Sequence, residues 1–312
     1  MKTCSTREAA MRALIEAARD DEKLLIVSPD SILAARAVPF MKEFPDRLVE
    51  VGIAEQNAVD VAAGLAACGM KPVVITYAGF LTMRACEMMR TFVAYPGLNV
   101  KFIGLNGGML GGEREGVTHQ FYEDLGILRS MPGIAILTPS DGHQAYKAAK
   151  SMLSIDGPAY LRLASGREPE VFDDAVPFEY GRVREVMRLG SDVAVFASGY
   201  IMNRAIDAVR AMKADGIGAT LVEVSTLKPL DEPGVAEVLA NVRAAVTVED
   251  HNIYGALGSA ICEAACKYHP LRVERVGLPD VYPRSGCAEE LLSQYGLSVQ
   301  DIIAAAKRAL QS

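Results

Sequence analysis

Short runs of apolar residues alternate with stretches of helical period along the first half of the chain. The apolar runs are residues 24–28, 48–51, 73–77, 99–105, 134–137 and 159–163. Each is short enough for a buried strand. Between them, apolar residues recur at i, i+3 and i+4, as in REAAMRALIEAA and DGHQAYKAAKSML. This alternation predicts an α/β fold, with a mostly parallel sheet covered by helices on both faces.

The alternation stops after residue 163 and restarts at residue 192. The stretch ASGREPEVFDDAVPFEYGR is acidic, contains Pro and has no clear period. We therefore predict two α/β domains, over residues 1–168 and 186–312, joined by a linker over 169–185. In the second domain, we expect strands at 192–197, 219–224, 244–249 and 271–277, and helices at 201–214, 231–241, 257–268 and from about 298.

Composition excludes several classes of partner. The 312 residues carry a net charge of −7 without a run of Lys or Arg, which argues against nucleic acid and against an anionic membrane surface. No uninterrupted apolar stretch approaches the ~18 residues of a spanning helix, and the start has acids where a signal peptide has an apolar region. We expect a cytoplasmic protein with reduced thiols.

The six cysteines are scattered, and most lie in apolar patterns typical of core thiols. Cys262 and Cys266 are one helical turn apart and could place two metal ligands on one face. Without a His or further Cys nearby this is a weak zinc signal, and we predict no metal site in this chain.

A carboxylate, Glu55, lies in the first turn of the nearly apolar helix of VGIAEQNAVDVAAGLA, just after the predicted strand 48–51. A first-turn acid complements the helix dipole, and that structural role is the simpler interpretation. However, ligands of α/β sheets bind at the carboxyl ends of strands, where helix N-termini point. A partly desolvated carboxyl in that place also suits proton exchange with a ring nitrogen of a cofactor.

The same segment closely resembles the pyrimidine-binding segment of transketolases and 1-deoxyxylulose-5-phosphate synthases, which are thiamine diphosphate enzymes. The resemblance implies that Glu55 contacts N1′ of the aminopyrimidine and favours its imino tautomer. VVITYAGFLTMRACEMMR resembles the family's next strand and helix, where a Phe stacks on the pyrimidine; Phe80 fits that role, and Tyr77 is expected to line the same pocket.

GGEREGVTHQFYEDLGILRSMPG resembles the family's substrate loop. By this resemblance His119 binds the donor ketose near its C1 hydroxyl, with Glu115 as the loop's acidic residue. YLRLASGRE resembles a segment with a phosphate-binding Arg, so Arg167 is the anion candidate. We expect Arg162 and His251 to be structural.

The substrate loop departs from the transketolase pattern in two ways. Glu115 stands where Asp is usual, and residues 106–118 contain no His; Glu113 and Arg114 are also unusual. We therefore expect a different or bulkier sugar, or another anion, in place of xylulose phosphate.

The resemblance covers only the second half of a full-length transketolase. The family binds the diphosphate and its divalent metal through Gly-Asp-Gly and a downstream Asn, and Gly-Asp-Gly does not occur here. We expect a separate N-terminal subunit to bind the diphosphate and Mg²⁺, in an α₂β₂ assembly in which this chain also forms a self-dimer.

The sequence thus predicts the C-terminal subunit of a split transketolase, with catalytic residues Glu55 and His119 and sugar phosphates as substrates. Three alternatives stay open: half of a 1-deoxyxylulose-5-phosphate synthase, the β subunit of a 2-oxoacid dehydrogenase, and a non-catalytic paralogue that only binds a partner.

Overall fold

Two α/β units follow one another along the chain. The computed structural model describes residues 4–112 and 114–311. Its strands are β1 (Leu24–Ser28), β2 (Leu48–Glu50), β3 (Lys71–Tyr77), β4 (Lys101–Leu105), β5 (Ala135–Leu137), β6 (Ala159–Arg162), β7 (Arg184–Arg188), β8 (Val193–Ser198), β9 (Ala219–Glu223), β10 (Thr226–Lys228), β11 (Ala244–Asn252) and β12 (Arg272–Leu278). These include every strand that the apolar runs predict, so the α/β prediction is confirmed.

The α-helices follow the predicted alternation. They are α1 (Thr6–Asp20), α2 (Val38–Glu43), α3 (Glu55–Ala67), α4 (Cys86–Met88), α5 (Asp124–Ser130), α6 (Gly142–Leu153), α7 (Met202–Ala214), α8 (Glu232–Leu239), α9 (Leu257–Tyr268), α10 (Ala288–Gln294) and α11 (Val299–Leu310). Two π-helical segments, Phe80–Arg84 and Met89–Ala94, flank α4 and make one wide helical stretch with it. None of the described helices is long and apolar enough to span a bilayer.

The first sheet has the order β10-β5-β6-β4-β3-β1-β2, and only β10 runs antiparallel. Apolar clusters cover both of its faces: α1, α2 and α6 pack on one, and α3, the π-helical stretch and α5 on the other. β10 follows the second unit's β9, so the second unit adds an edge strand to the first sheet. Periodicity did not predict this pairing, because a three-residue strand leaves no alternation to detect.

The second sheet has the order β12-β11-β8-β9-β7 and is parallel except for β7. β7 begins at Arg184, within the last residues of the predicted linker. The two units share apolar core, since one cluster joins residues of α3 and the first sheet to Phe196, Val222 and Ile261 of the second unit. This continuous packing fixes the carboxyl edge of the first sheet against the second unit.

Candidate active site at the carboxyl edge of the first sheet

Glu55 is the first residue of α3 and lies just beyond the end of β2. The turn between them bends at Gly52, whose φ of 72° is in the left-handed region. Oε1 of Glu50 braces the turn by accepting the backbone N–H groups of Asp30 at 2.7 Å and Gly52 at 2.9 Å. The Glu55 side chain is only 4% exposed and lies at a helix N-terminus, where the dipole favours negative charge.

Arg84 pairs with this buried carboxylate. Its Nη1 donates to Oε1 of Glu55 at 2.7 Å, and its guanidinium carbon lies 4.0 Å from the centroid of the Phe80 ring. No sequence motif pointed to Arg84. The available signal was its spacing of four residues from Phe80, which places both side chains on one side of a helical turn.

Four rings gather at the end of β3. The centroid of the His119 ring lies 5.3 Å from that of Tyr77 and 5.5 Å from that of Phe80, both edge-on. Phe121 packs against Phe80 at 5.4 Å. Gly79 permits this approach, because a Cβ there would lie 2.0 Å from the Phe121 ring. Of the residues predicted from sequence, Tyr77, Phe80 and His119 are thus in mutual contact.

His119 is carried by a loop that folds back on itself. Backbone bonds join Gly108 and Phe121 in both directions, at 2.6 and 3.1 Å, and His119 N–H donates to the carbonyl of Gly116 at 2.9 Å. The ring Nδ1 lies 3.0 Å from Oγ1 of Thr118. A Cβ on Gly112 would lie 1.9 Å from the carbonyl oxygen of His119, so the loop closes only with glycine at that position.

The start of the loop is tied to the second unit. The Asp250 carboxylate accepts the backbone N–H groups of Met109 at 2.9 Å and Leu110 at 3.3 Å. Both residues bury their side chains in the second unit's apolar cluster. A Cβ on Gly108 would lie 2.1 Å from Oδ2 of Asp250. Burial raises the pKa of Asp250, and the two backbone donors and Arg162 oppose that shift.

Arg162 and His251 sit in a buried network between the units. Arg162 forms a forked bond with Asp124, with Nε to Oδ2 at 2.9 Å and Nη2 to Oδ1 at 2.8 Å, and also donates to the backbone carbonyl of Asp250. His251 accepts from Gly126 N–H through Nε2, and its Nδ1 bonds the carbonyl of Asn252. Burial lowers the pKa of His251 to about 4. These contacts agree with the structural roles expected for both residues.

Glu115 and Arg167 are exposed side chains. Glu115 lies on the loop four residues before His119, while Arg167 follows β6. Arg167 lies near Arg7, whose buried guanidinium donates to the carbonyls of Ala34 and Ala164 at 3.1 Å. Burial lowers the pKa of Arg7. No sequence motif pointed to Arg7, which ties α1 to the backbone at Ala34 and Ala164. Glu113 falls outside the described residues.

The cysteine pair on α9 has no further metal ligands grouped with it among the described residues. In the described ranges 4–112 and 114–311, no three His, Cys, Asp or Glu side chains group as metal ligands would. Cys262 and Cys266 are both free thiols, and burial raises the pKa of Cys262.

Comparison with known proteins identifies the source of this architecture. Residues 2–167 match the model of the transketolase pyrimidine-binding domain, and residues 181–302 match that of the transketolase C-terminal domain. The chain belongs to the transketolase family.

Its relatives within the family include single subunits of similar length. The 6-deoxy-6-sulfo-D-fructose transketolase subunit SqwH of Clostridium sp. strain MSTE9 is 34% identical over 300 residues, covering 96% of this chain and 92% of that protein. A subunit of the apulose-4-phosphate transketolase of Actinobacillus succinogenes is 34% identical over 291 residues, covering 93% of each.

Longer family members and a solved structure complete the comparison. A 1-deoxy-D-xylulose-5-phosphate synthase of Caldanaerobacter subterraneus is 37% identical over 295 residues, but the match spans 46% of that enzyme. A solved structure described as a split gene transketolase, inactive beta4 tetramer, superposes with a TM-score of 0.90 at 36% identity and covers 99% of both chains.

Proposed function

We propose that this chain is the C-terminal subunit of a split transketolase, which moves a two-carbon ketol unit from a ketose donor to an aldose phosphate acceptor. The observation that supports this most directly is the buried carboxylate of Glu55 beside the Phe80–Tyr77–His119 ring cluster, at the carboxyl edge of a parallel sheet. Relatives that are named transketolase subunits, and that match this chain over nearly its whole length, support the same proposal.

The residues of the site fit the aminopyrimidine of thiamine diphosphate. A planar heterocycle needs an aromatic face and an acceptor at a ring nitrogen, and Phe80 and Glu55 are joined through one guanidinium. When bound, the cofactor supplies a carbon nucleophile and an electron sink for carbon–carbon cleavage. Glu55 would exchange a proton with N1′, Phe80 would stack on the ring, and Tyr77 would line its edge.

His119 and its loop would orient the substrate. The edge contacts of His119 with Tyr77 and Phe80 leave a partly exposed imidazole beside the proposed cofactor site, from which it would hydrogen-bond a donor hydroxyl. Glu115 would bind further hydroxyls, and Arg167 would anchor a phosphate or similar anion as a forked donor. Fixing these groups before reaction lowers the entropic cost of the transition state.

A second polypeptide completes the proposed enzyme. We infer an N-terminal subunit that holds the diphosphate and Mg²⁺, in an α₂β₂ assembly with a β self-contact. A solved β₄ tetramer of a 36% identical split-gene chain is described as inactive, which agrees with a β chain that needs its partner. The proposal places the assembly in the cytoplasm, where thiols stay reduced.

Reconstitution tests the proposal. The chain is co-expressed with an N-terminal transketolase subunit, and ketol transfer is measured with thiamine diphosphate, Mg²⁺ and a panel of ketose phosphates and sulfonates. We expect activity in the mixture and none with either chain alone. Activity of this chain alone would contradict the split arrangement. A mixture that binds no cofactor and transfers nothing would favour a non-catalytic paralogue.

A synthase-type reaction is the second candidate, because a 1-deoxy-D-xylulose-5-phosphate synthase is 37% identical over the matched half. The same mixture supplied with pyruvate and an aldose phosphate separates the two functions. Release of CO₂ with product formation would support the synthase. Decarboxylation of pyruvate without use of the aldose would instead point to the β subunit of a 2-oxoacid dehydrogenase.

A further inference from the structure

Arg84 joins the two side chains that the proposed function assigns to the cofactor ring. It is hydrogen-bonded to Glu55 at 2.7 Å and lies over the Phe80 ring at 4.0 Å. The pair is unequally exposed: the Glu55 side chain is 4% exposed and that of Arg84 is 50%. A half-exposed guanidinium is therefore the ion-pair partner of a buried carboxylate.

This contact differs from an ordinary surface ion pair. Exposed pairs contribute little because water solvates both charges. A buried carboxylate, in contrast, depends on its partner, since an unpaired buried charge is costly. The flat guanidinium adds a second constraint, because it packs on the aromatic face while its N–H points to the carboxylate.

A hydrogen bond to the main chain of Arg84 also fixes its position. Nε2 of Gln56, the residue after Glu55, donates to the carbonyl oxygen of Arg84 at 3.1 Å. The start of α3 is thus bonded to the π-helical segment Phe80–Arg84 through both side chain and main chain. π-Helical turns recur at functional sites, where the wide turn changes the direction of side chains.

The ion pair occupies one carboxylate oxygen. Glu55 has a second oxygen, Oε2, with lone pairs of its own. A guanidinium on Oε1 sets the rotation of the carboxyl plane, and its contact with Phe80 sets the distance between that plane and the ring. A heterocycle that stacks on Phe80 and hydrogen-bonds to Glu55 needs both this rotation and this distance to be fixed.

We propose that Arg84 is a positioning residue that holds Glu55 and Phe80 in one geometry for the aminopyrimidine. The inference rests on the proposed function and names a further residue of the same site. Because Arg84 acts through Glu55, its removal changes cofactor affinity only while Glu55 is present.

The test uses the complex reconstituted with the N-terminal subunit. Thiamine diphosphate binding in the presence of Mg²⁺ is measured by calorimetry for wild type, Arg84→Met and Arg84→Lys. Losing one charge-assisted hydrogen bond predicts roughly 10- to 100-fold weaker binding for Arg84→Met. Lys keeps the charge but loses the planar guanidinium, so Arg84→Lys should recover part of the lost cofactor affinity. Arg90→Met removes an exposed arginine from the same helical stretch and is the matched control.

A double-mutant cycle separates positioning from general damage to the fold. On a Glu55→Gln background, Arg84→Met should change cofactor affinity less than about threefold, because mutations of two residues in contact do not have additive effects. An equal loss on both backgrounds would overturn the proposal. Tighter cofactor binding by Arg84→Met would also overturn it, because the guanidinium would then compete with the ring.

Failure of this inference is distinguishable from failure of the proposed function. In one outcome, the wild-type complex transfers ketol units while Arg84→Met matches Arg90→Met in cofactor affinity, in kcat and in the near-ultraviolet circular dichroism of the bound ring. That result would overturn only the role of Arg84. A wild-type complex that binds no thiamine diphosphate would overturn both.

Discussion

The carboxyl edges of the two sheets hold the same kinds of side chain in different states. At the first, His119 contacts the rings of Tyr77 and Phe80, and Glu55 pairs with an Arg84 that lies over the same Phe80 ring. At the second, Glu249 and His251 are buried and bonded to the molecule itself: Glu249 accepts the N–H groups of Leu257 and Gly258 at the start of α9, at 2.9 and 2.7 Å. Residue type therefore does not distinguish a site from a scaffold here. The distinction lies in how far the polar atoms are already bonded within the chain, as both carboxylate oxygens of Glu249 and both ring nitrogens of His251 are.

Glu55→Gln should produce the largest effect. The amide keeps the shape of the carboxyl but cannot exchange a proton with a ring nitrogen, so we expect kcat to fall by roughly 10²- to 10⁴-fold in the reconstituted complex at saturating cofactor. Glu87→Gln, an exposed acid on the neighbouring helical stretch, is the control. Near-normal turnover of Glu55→Gln would disprove the assignment.

Sequence patterns predicted part of this comparison. Apolar periodicity located the strands of both sheets except β7 and β10, because buried parallel strands are short continuous apolar runs and these two are antiparallel edge strands. Glu55, Phe80 and His119 were proposed as site residues from motifs of short range in the chain. Arg84 was not, since an arginine at helical spacing is usually a solvated surface residue. Its proposed role depends on a pairing with a carboxylate 29 residues away along the chain.

The loop at 106–118 shows a second limit of sequence reasoning. Its glycines permit many backbone paths, so sequence alone could not place it. The path of its described residues is set by contacts that come from elsewhere in the chain: Gly107 would clash with Arg162, and Gly108 with Asp250, if either had a Cβ. Glycine was needed for close approach, and the approaching groups belong to distant segments.

Asp250→Ala should be the most damaging change at the second edge. It leaves the N–H groups of Met109 and Leu110 buried without an acceptor, which predicts a loss of about 3 kcal/mol in the free energy of unfolding. Urea unfolding of the isolated chain measures this loss. Asp250→Asn keeps one carbonyl oxygen and should cost less. A loss below about 1 kcal/mol for Asp250→Ala would show that the loop does not depend on this anchor.

The two histidines offer a direct contrast. His119→Ala should lower kcat/KM for the donor roughly 10- to 100-fold through a lost hydrogen bond, with little change in stability. His251→Ala removes an acceptor for Gly126 N–H and a donor to Asn252, so it should lower the free energy of unfolding by about 2 kcal/mol. Steady-state kinetics and urea unfolding of both variants test the pair. If the two variants changed kcat/KM and the free energy of unfolding to the same extent, the two histidines would not differ in role.

Glu249 gives the second edge a pH dependence. Burial raises the pKa of Glu249 to about 7 and lowers that of His251 to about 4, so the two groups change stability with pH in opposite directions. Between roughly pH 4.5 and 7 the folded chain holds a proton on Glu249 that the unfolded chain has released. Stability from this group is lost as pH rises through that window, by up to about 1.4 kcal/mol per pH unit. Glu249→Gln removes this loss, so the opposing contribution of His251 should make stability rise more steeply with pH between about 4.5 and 6.5. An unchanged slope in Glu249→Gln would assign the pH dependence to other groups.

The smallest effect should come from an exposed contact between the same two units. Arg129 of α5 donates from Nη1 to Oε1 of Glu263 on α9 at 2.9 Å, and the Glu263 side chain is 63% exposed. Water solvates that carboxylate in the absence of its partner, so Glu263→Gln should change the free energy of unfolding by less than about 1 kcal/mol. Asp124→Asn, which weakens the buried fork to Arg162, should cost several times more, because the guanidinium has little water to replace a lost charge. Similar costs for the two variants in urea unfolding would mean that burial does not set the strength of the contacts between the units.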